Sequence, residues 1–405
     1  MSAPSYFIRL AIGLLLTSGA LLVDVWQHHP VPPPARALLP HASAISQVPD
    51  RPANAPIGQG QQLTWVAQGQ LPMPQGVPSA HASALLAMPP GHPYALLAFW
   101  FAGSRESGPD VQIVMSALSR SSGQWGAAQF VVNRAQIAQQ LGHGFRRLGN
   151  PLAWRDAGGR VHLFVVATGL GGWAASRILH LIQSGPVESS EAVQFEPVRV
   201  LPLSWLWNTS HLVRAAPLNL EDGGMVLPVY FELGKKYPLA VRFDAEGGFL
   251  GMAQMSQRGY VLQPTLLPRS ATDWLALMRN NSSNGKIAVL QTLDGGQSWV
   301  DRPDLTLNNP GASVAALMLS PNHSVLVHNS QPHDRTVLDL SDSQDGFNWR
   351  LVHRLARGSG RDEYSYPALA WVDGSLWVSY TDQRQSIAWQ RFAFKPVAAL
   401  EADKK

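Results

Sequence analysis

Short apolar segments separated by polar turns dominate the chain from about Leu63 onward. The segments are five to seven residues long, and the turns between them are rich in Gly, Asp, Asn and Pro. No long helical periodicity appears, and the best candidate for a short helix is Ala135 to Gly142. This spacing predicts an all-β propeller, sandwich or barrel. The clearest predicted strands are Val161–Thr168, Met225–Phe231, Trp274–Arg279, Ile287–Thr292, Val325–Asn329, Val337–Ser341 and Leu376–Tyr380.

The N-terminal segment has a different pattern. Arg9 precedes about fourteen uncharged, mostly apolar residues, which is typical of a signal peptide or an uncleaved membrane anchor. Residues 1–26 are therefore predicted to be the signal or anchor, with anchoring in the inner membrane through residues 6–25. Residues 27–60, rich in Pro and Ala, predict an unpacked linker. The propeller-like domain is expected over 61–396, followed by a charged tail at 397–405, and the protein is expected to be exported, either periplasmic or anchored facing the periplasm.

The amino-acid composition limits the kinds of chemistry and ligand that the protein can use. Charged residues are only 14% of the 405 residues, which suits a large β body, and the absence of cysteine excludes disulfides and thiolate chemistry. The net charge of +4 is small and unclustered, so no nucleic-acid surface is predicted, although anionic substrates are compatible with it. The 13 histidines show no metal-binding spacing, and no phosphate-binding loop follows a strand, so neither a metal nor another cofactor is predicted.

One predicted hairpin carries charged residues at its turn. Apolar strands at Ala98–Ala102 and Val111–Met115 flank a turn that holds Arg105 and Asp110 at its two ends. Such a turn either forms a surface ion pair or holds two charges at the rim of a site.

Two segments share a turn motif. Thr292 to Trp299 fits Ser/Thr-x-Asp-x-Gly-x-x-Trp, and Ser343 to Trp349 repeats it one residue shorter. In such a turn the Asp bonds the backbone, Gly permits positive φ, and Trp anchors the hairpin in the sheet. With this motif, the Asp-box, the chain from Gln70 to Phe394 resembles the sialidase (neuraminidase) superfamily, closest to its bacterial branch of BNR-repeat-like predicted neuraminidases. The resemblance implies a six-bladed β-propeller with its site on the axis.

The resemblance also implies which residues bind an acidic sugar. Sialidases hold the substrate carboxylate with three arginines, through bidentate charge-assisted hydrogen bonds. Arg279 and Arg335 match the second and third of these arginines, whereas His81 stands at the place of the first. A histidine cannot form the same clamp, but it can donate to a uronic carboxylate or act as a base.

The catalytic groups follow from the same comparison. Asp110 matches the general acid/base and Arg105 the arginine near it, while Tyr366, with Tyr364 as the alternative, matches the nucleophile. Gln263 stands where the family has the glutamate that takes the tyrosine proton, and Glu232 is the candidate substitute. The turns at Asn150 and Arg214 also resemble this branch and are expected near the rim.

Three functions therefore remain open. The first is a glycosidase that acts on a terminal acidic sugar, and the second is a polysaccharide lyase that acts at a uronic acid. The third is a non-catalytic propeller that binds carbohydrate or supports polysaccharide assembly. A carboxylate bonded to Tyr366 would favour the glycosidase, a His–Tyr pair without one would favour the lyase, and a filled axis would leave the third.

Overall fold

In a computed structural model, the described part of the chain is a six-bladed β-propeller preceded by an apolar helix. The structure describes residues 3–28, 39, 42–45, 61–169, 172–185, 193–204 and 208–396. The predicted tail at 397–405 and most of the predicted linker lie outside the described residues. The all-β, six-bladed expectation is confirmed.

Each blade is an antiparallel sheet whose strands follow one another in the chain. The chain enters with β1 (Gln61–Gln70), and blade 1 then contains β2 (Ser79–Ala87), β3 (Tyr94–Gly103), β4 (Gln112–Ser119) and β5 (Gln129–Val132). Blade 2 contains β6 (Arg147–Arg155), β7 (Val161–Thr168), β8 (Ser176–Ser184) and β9 (Gln194–Val200). Blade 3 contains β10 (His211–Val213), β11 (Leu218–Asn219), β12 (Met225–Phe231), β13 (Tyr237–Phe243) and β14 (Phe249–Gln254).

The second half of the ring repeats this order. Blade 4 contains β15 (Val261–Pro268), β16 (Trp274–Asn280), β17 (Ala288–Thr292) and β18 (Val300–Arg302). Blade 5 contains β19 (Ala315–Ser320), β20 (His323–Asn329), β21 (Val337–Ser343) and β22 (Arg350–Arg357). Blade 6 contains β23 (Tyr364–Val372), β24 (Ser375–Asp382) and β25 (Ser386–Pro396), and β1 pairs with β25 to complete it and close the ring.

The first strand of each blade lines the axis, where β2 packs against both β6 and β23. Apolar side chains between neighbouring blades form the core; Phe99 and Phe101 of blade 1, for example, meet Leu163 and Val165 of blade 2. The middle strands are buried on both faces, which explains their nearly continuous apolar sequence. We call the face that holds the β3–β4 loop upper, and the opposite face lower.

Both Asp-boxes form the hairpins that the sequence predicts, and both lie on the lower face. The Asp345 carboxylate accepts hydrogen bonds from the backbone N–H groups of Phe347 and Asn348, at 2.8 and 2.7 Å. Gly346 has φ of +75°, and Trp349 Nε1 donates to its carbonyl at 3.1 Å. The turn after Thr292 is built in the same way.

Two helices flank this body. The predicted short helix is α2 (Arg134–Leu141), which Asn133 caps and which ends at Gly142 with φ of +63°. At the N-terminus α1 (Ala3–His28) has an exposed apolar surface over Tyr6–Val23. Its 26 residues span about 39 Å, long enough to cross a bilayer core of about 30 Å. This helix is compatible with a signal peptide or an anchor.

Part of the segment expected to be an unpacked linker lies against the propeller instead. Leu39, Ala42 and Ala44 are buried in a cluster between blades 3 and 4. The Ala44 N–H donates to the Ala271 carbonyl at 2.9 Å, and Ser43 accepts from the backbone of blade 3 at 2.8 Å. Apolar burial and backbone pairing outweigh the tendency of this composition to stay extended.

Candidate active site

Four of the innermost strands are interrupted at the same level by a two-residue bulge. The first residue of each bulge has φ between +34° and +55°, which is uncommon for a residue with a side chain. Such positions often mark functional sites, because a bulge redirects a side chain. The four bulges are Ala82–Ser83, Asn150–Pro151, Gln263–Pro264 and Tyr366–Pro367. Three of the residues predicted from the sequence, Asn150, Gln263 and Tyr366, are therefore positioned by the same kind of bulge.

His81 and Tyr366 meet at the axis. His81 precedes the bulge of β2 and is 1% exposed, and its ring centroid lies 4.3 Å from that of Tyr366. Neither ring nitrogen has a hydrogen-bond partner among the described residues. Burial, followed by the charges of Arg384, Arg214 and Arg335, lowers the pKa of His81 well below its usual 6.5. This histidine is therefore neutral at neutral pH.

Arg214 ties three blades together at the axis. Its guanidinium donates to the carbonyls of Ser83 at 3.1 Å and Pro367 at 2.7 Å, and it lies 5.1 Å from the Tyr366 ring centroid. Burial lowers its pKa to about 10, and no carboxylate pairs with it in the described part of the chain. We expected Arg214 and Asn150 near the rim, but both are buried. Arg214 lies over the Tyr366 ring, and Asn150 Nδ2 donates to the Val213 carbonyl at 3.1 Å, next to Arg214.

Gln263 faces a second tyrosine, which the sequence did not reveal. The Gln263 Nε2 atom donates to the Tyr230 hydroxyl at 3.4 Å, and its Oε1 atom is buried without a partner in the described structure. Burial, followed by the proximity of Tyr366, raises the pKa of Tyr230, so this phenol stays protonated. Glu232, the expected substitute base, is paired with Lys236.

Above the tyrosine, one carboxylate holds two arginines. Glu363 Oε1 accepts from Arg335 Nη1 at 2.9 Å, and Arg384 binds both Glu363 oxygens at 2.8 and 3.1 Å. Glu106 pairs with Arg384 from the other side. Sequence reasoning missed Arg384, Glu363 and Glu106. Glu106 and Glu363 adjoin residues that were singled out, but Arg384 lies in a turn without a motif.

Arg279 lies on the next blade along the upper face. Its Nε atom donates to Asn281 Oδ1 at 2.9 Å. Together with Arg335 and His333 it borders an upper cleft of about 520 Å³. The other lining residues are mostly amides and hydroxyls, among them Asn280, Ser282, Ser283, Asn284 and Asn308. The two family-matched arginines therefore share one polar cleft.

Asp110 and Arg105 lie on the exposed β3–β4 loop. The Asp110 carboxylate accepts from the Ser104 N–H at 2.7 Å and from the Ser104 hydroxyl at 2.8 Å, so it bonds Ser104 rather than Arg105. The hydrogen bonds from Ser104 lower the pKa of Asp110 below its usual 3.8. In the ligand-free protein this carboxyl is ionised.

The axis of the propeller is not completely filled by side chains. Below the bulges a cavity of about 40 Å³ is lined by Arg214 and small apolar side chains such as Ala84, Ala316 and Ala368. In the described residues no group of three or more His, Asp or Glu side chains could hold a metal ion.

A six-bladed propeller with Asp-boxes, an axial tyrosine and arginines at the upper opening defines a sialidase-like propeller. Residues 94–378 match the model of the BNR repeat-like domain family, so the chain belongs to that family. No curated protein matches the chain.

Solved structures share this fold. The chain is similar to the Hadza microbial sialidase Hz136, with a TM-score of 0.61 and 14% identity over 79% of this chain and 66% of that one. It is similar to Trypanosoma rangeli sialidase in complex with sialic acid, with a TM-score of 0.61 and 13% identity over 86% and 60%. A Dyadobacter fermentans protein of unknown function has a TM-score of 0.63 and 12% identity over 82% and 99%. The chain thus spans less than two thirds of these sialidases, and such identities show the fold alone.

Proposed function

We propose that the protein is an exported glycoside hydrolase that acts on a terminal acidic sugar, sialic acid or a related one. The observation that carries the proposal is the position of Tyr366. It lies on the axis beside His81 and Arg214, and its strand begins directly after Glu363, the glutamate that holds Arg335. A phenol is a suitable nucleophile when the anomeric carbon bears a carboxylate, because a carboxylate nucleophile would be repelled.

His81 supplies the base that the Gln263 position lacks. A glutamine cannot accept the proton of the phenol, and Glu232 is engaged by Lys236. His81 is neutral, neither of its ring nitrogens has a hydrogen-bond partner in the described part of the chain, and its ring contacts the Tyr366 ring. We therefore assign to His81 the removal of the phenolic proton as the tyrosine attacks.

The remaining groups bind and protonate the substrate. Arg279 and Arg335 bind the acidic group through charge-assisted hydrogen bonds. Asp110 protonates the leaving oxygen and later activates water. Because Ser104 keeps Asp110 ionised in the free protein, the bound sugar has to displace those hydrogen bonds before the carboxyl carries a proton.

The test is hydrolysis of a fluorogenic sialoside by the full-length protein. We expect Tyr366→Phe to lower kcat by at least about 100-fold, because the nucleophilic oxygen is lost. Tyr364→Phe removes the same atom two residues away and should retain activity. Equal losses in both variants, or full activity in Tyr366→Phe, would contradict the assignment.

A second function is favoured by one observation: within the described residues no carboxylate is hydrogen-bonded to Tyr366, whereas the His81 ring packs against the Tyr366 ring. A lyase needs no second carboxylate, because a His–Tyr pair can remove the proton next to a uronic carboxylate that arginine neutralises. Uronic-acid polysaccharides would then give unsaturated products that absorb in the ultraviolet, and the sialoside would stay intact. No turnover of either substrate, with binding retained, would indicate a carbohydrate-binding or polysaccharide-assembly role.

Localisation belongs to the same proposal. The apolar helix α1 exports the propeller or anchors it facing the periplasm, where acidic glycans are its partners. Fractionation of cells that express the full chain would show a membrane-bound form if the helix is retained.

A further inference from the structure

The β3–β4 loop, residues 104–110, is folded mainly onto itself. Ser104 and Asp110 close its base, and the Gly108 N–H donates to the Arg105 carbonyl at 3.0 Å. Among the polar contacts of the described residues, the ion pair between Glu106 and Arg384 is the one that joins this loop to another blade. The polar attachment of this loop to the neighbouring blade therefore consists of one partly exposed ion pair.

Arg384 is held from the opposite side. Its carbonyl accepts from Ser79 Oγ at 2.9 Å and from the Ala80 N–H at 3.2 Å, so the β24–β25 turn lies on the start of β2. This brings the guanidinium to His81, whose pKa Arg384 lowers more than any other charge does. Arg384 thus places a cation beside the residue that occupies the first arginine position.

The charges at this point balance only when Glu106 is included. Arg335 and Arg384 share the single carboxylate of Glu363, which leaves one positive charge. Glu106 neutralises it. The side chains of Arg384 and Glu106 are 41% and 25% exposed, so a dissolved anion can reach the pair.

We propose that Glu106 is an internal anion that occupies Arg384 in the ligand-free protein, and that the carboxylate of an acidic sugar displaces it. The ligand carboxylate then binds Arg384 and Arg335, and the released loop carries Arg105 and Asp110 into contact with the sugar. Arg384 becomes the specificity-determining residue that compensates for His81. This inference rests on the proposed function only in taking an acidic sugar as the ligand.

This proposal is tested by measuring equilibrium binding of N-acetylneuraminic acid and of glucuronic acid to the full-length protein. The methyl ester of each acid, which lacks the negative charge, serves as the control ligand. Glu106→Gln removes the competing charge and should lower the Kd for the acids by about two- to fivefold, the range of an exposed ion pair. Arg384→Gln should raise that Kd by about tenfold or more, because a charge-assisted contact is lost. Glu196→Gln, an exposed change on β9, should alter neither Kd.

Loop release has its own readout. Amide hydrogen exchange across residues 104–110 should be faster in ligand-free Glu106→Gln than in the unchanged protein. Equal exchange rates would contradict the coupling between the ion pair and the loop.

Several results would overturn the proposal. An unchanged or raised Kd in Glu106→Gln would do so, as would no binding of either acid to any variant. If Arg384→Gln fails to fold, seen as a lost unfolding transition, Glu106→Gln still decides, because it deletes only a surface charge. A Kd that falls in Glu106→Gln, without hydrolysis of any substrate, would refute the hydrolase proposal and retain this inference. Hydrolysis together with a Kd that Glu106→Gln leaves unchanged would refute this inference and retain the hydrolase proposal.

Discussion

The ring centroids of His81 and Tyr366 lie 4.3 Å apart, and both nitrogens of the histidine lack a partner among the described residues. A buried polar atom without a partner is costly unless a ligand or a proton transfer uses it. Burial, together with the neighbouring arginines, lowers the pKa of this histidine and keeps it neutral. The pair therefore combines a proton acceptor with a phenol, where the sialidase pattern combines a carboxylate with a phenol.

This pair predicts an unusual pH dependence. Because the pKa of His81 is lowered, the imidazole stays neutral as the pH falls through 6.5 and is protonated only in more acidic solution. As a base it is active when neutral, so the acid limb of kcat/KM should lie below pH 6.5. A pH–rate profile on the substrate that is turned over measures it.

The matched variant is His81→Gln. It should lower kcat/KM by about 10²–10⁴-fold, the usual contribution of a general base, and remove the acid limb. An acid limb that persists unchanged in this variant would assign it to another group.

Arg214 should matter for both stability and activity. Arg214→Met removes the hydrogen bonds to the Ser83 and Pro367 carbonyls, so we expect a loss of about 1–3 kcal/mol in the free energy of unfolding. It also removes the cation over the Tyr366 ring, so kcat should fall in protein that remains folded. Denaturant unfolding and kinetics check the two effects, with Arg279→Met on the upper face as the control for the unfolding measurement alone. Full activity in Arg214→Met would show that Tyr366 needs no such support.

The propeller could be predicted because its signals are local. Alternating apolar strands and turns fix the strands, and the Asp-boxes fix where the third strand of a blade turns into the fourth. The docking of Leu39 and Ala42–Ile45 could not be predicted, because it depends on a groove between blades 3 and 4 that exists only in the folded ring.

The site could be predicted only in part, because some of its contacts exist only in the folded ring. His81, Gln263 and Tyr366 follow recognisable strand patterns, and the structure places all three at the level of the bulges. Arg384 lies in a turn and Tyr230 lies on the second strand of its blade, and neither belongs to a sequence motif. Closure of the ring brings these two residues to the axis, and the local spacing of residues in the sequence does not predict that position.

The Asp-boxes should affect stability without affecting the site. Burial opposes ionisation of Asp345, but hydrogen bonds from Asn348, Phe347 and Ser343 outweigh it and lower its pKa to about 2. Its contribution is therefore complete above the unfolded value near 3.8 and is lost as the pH falls toward 2. Asp345→Ala should lower the free energy of unfolding by about 1 kcal/mol at pH 7 and leave the Kd for acidic sugars unchanged.

Two measurements check this. Unfolding of Asp345→Ala and of the unchanged protein should converge as the pH approaches 2. A changed Kd for an acidic sugar would show instead that the lower face communicates with the site.

The segment around Ala44 gives the last test, because two neighbouring residues differ in burial. Ala44 is 8% exposed between blades 3 and 4, whereas Ile45 is 40% exposed. Ala44→Asp would bury a carboxylate without a partner, so we expect a loss of roughly 2 kcal/mol in the free energy of unfolding. Ile45→Asp places the same group in solvent and should cost much less. Thermal unfolding of the two variants compares them directly. Equal unfolding temperatures would mean that this segment does not stay on the lower face in solution, whereas the expected difference would make it a structural part of the propeller on the face away from Tyr366.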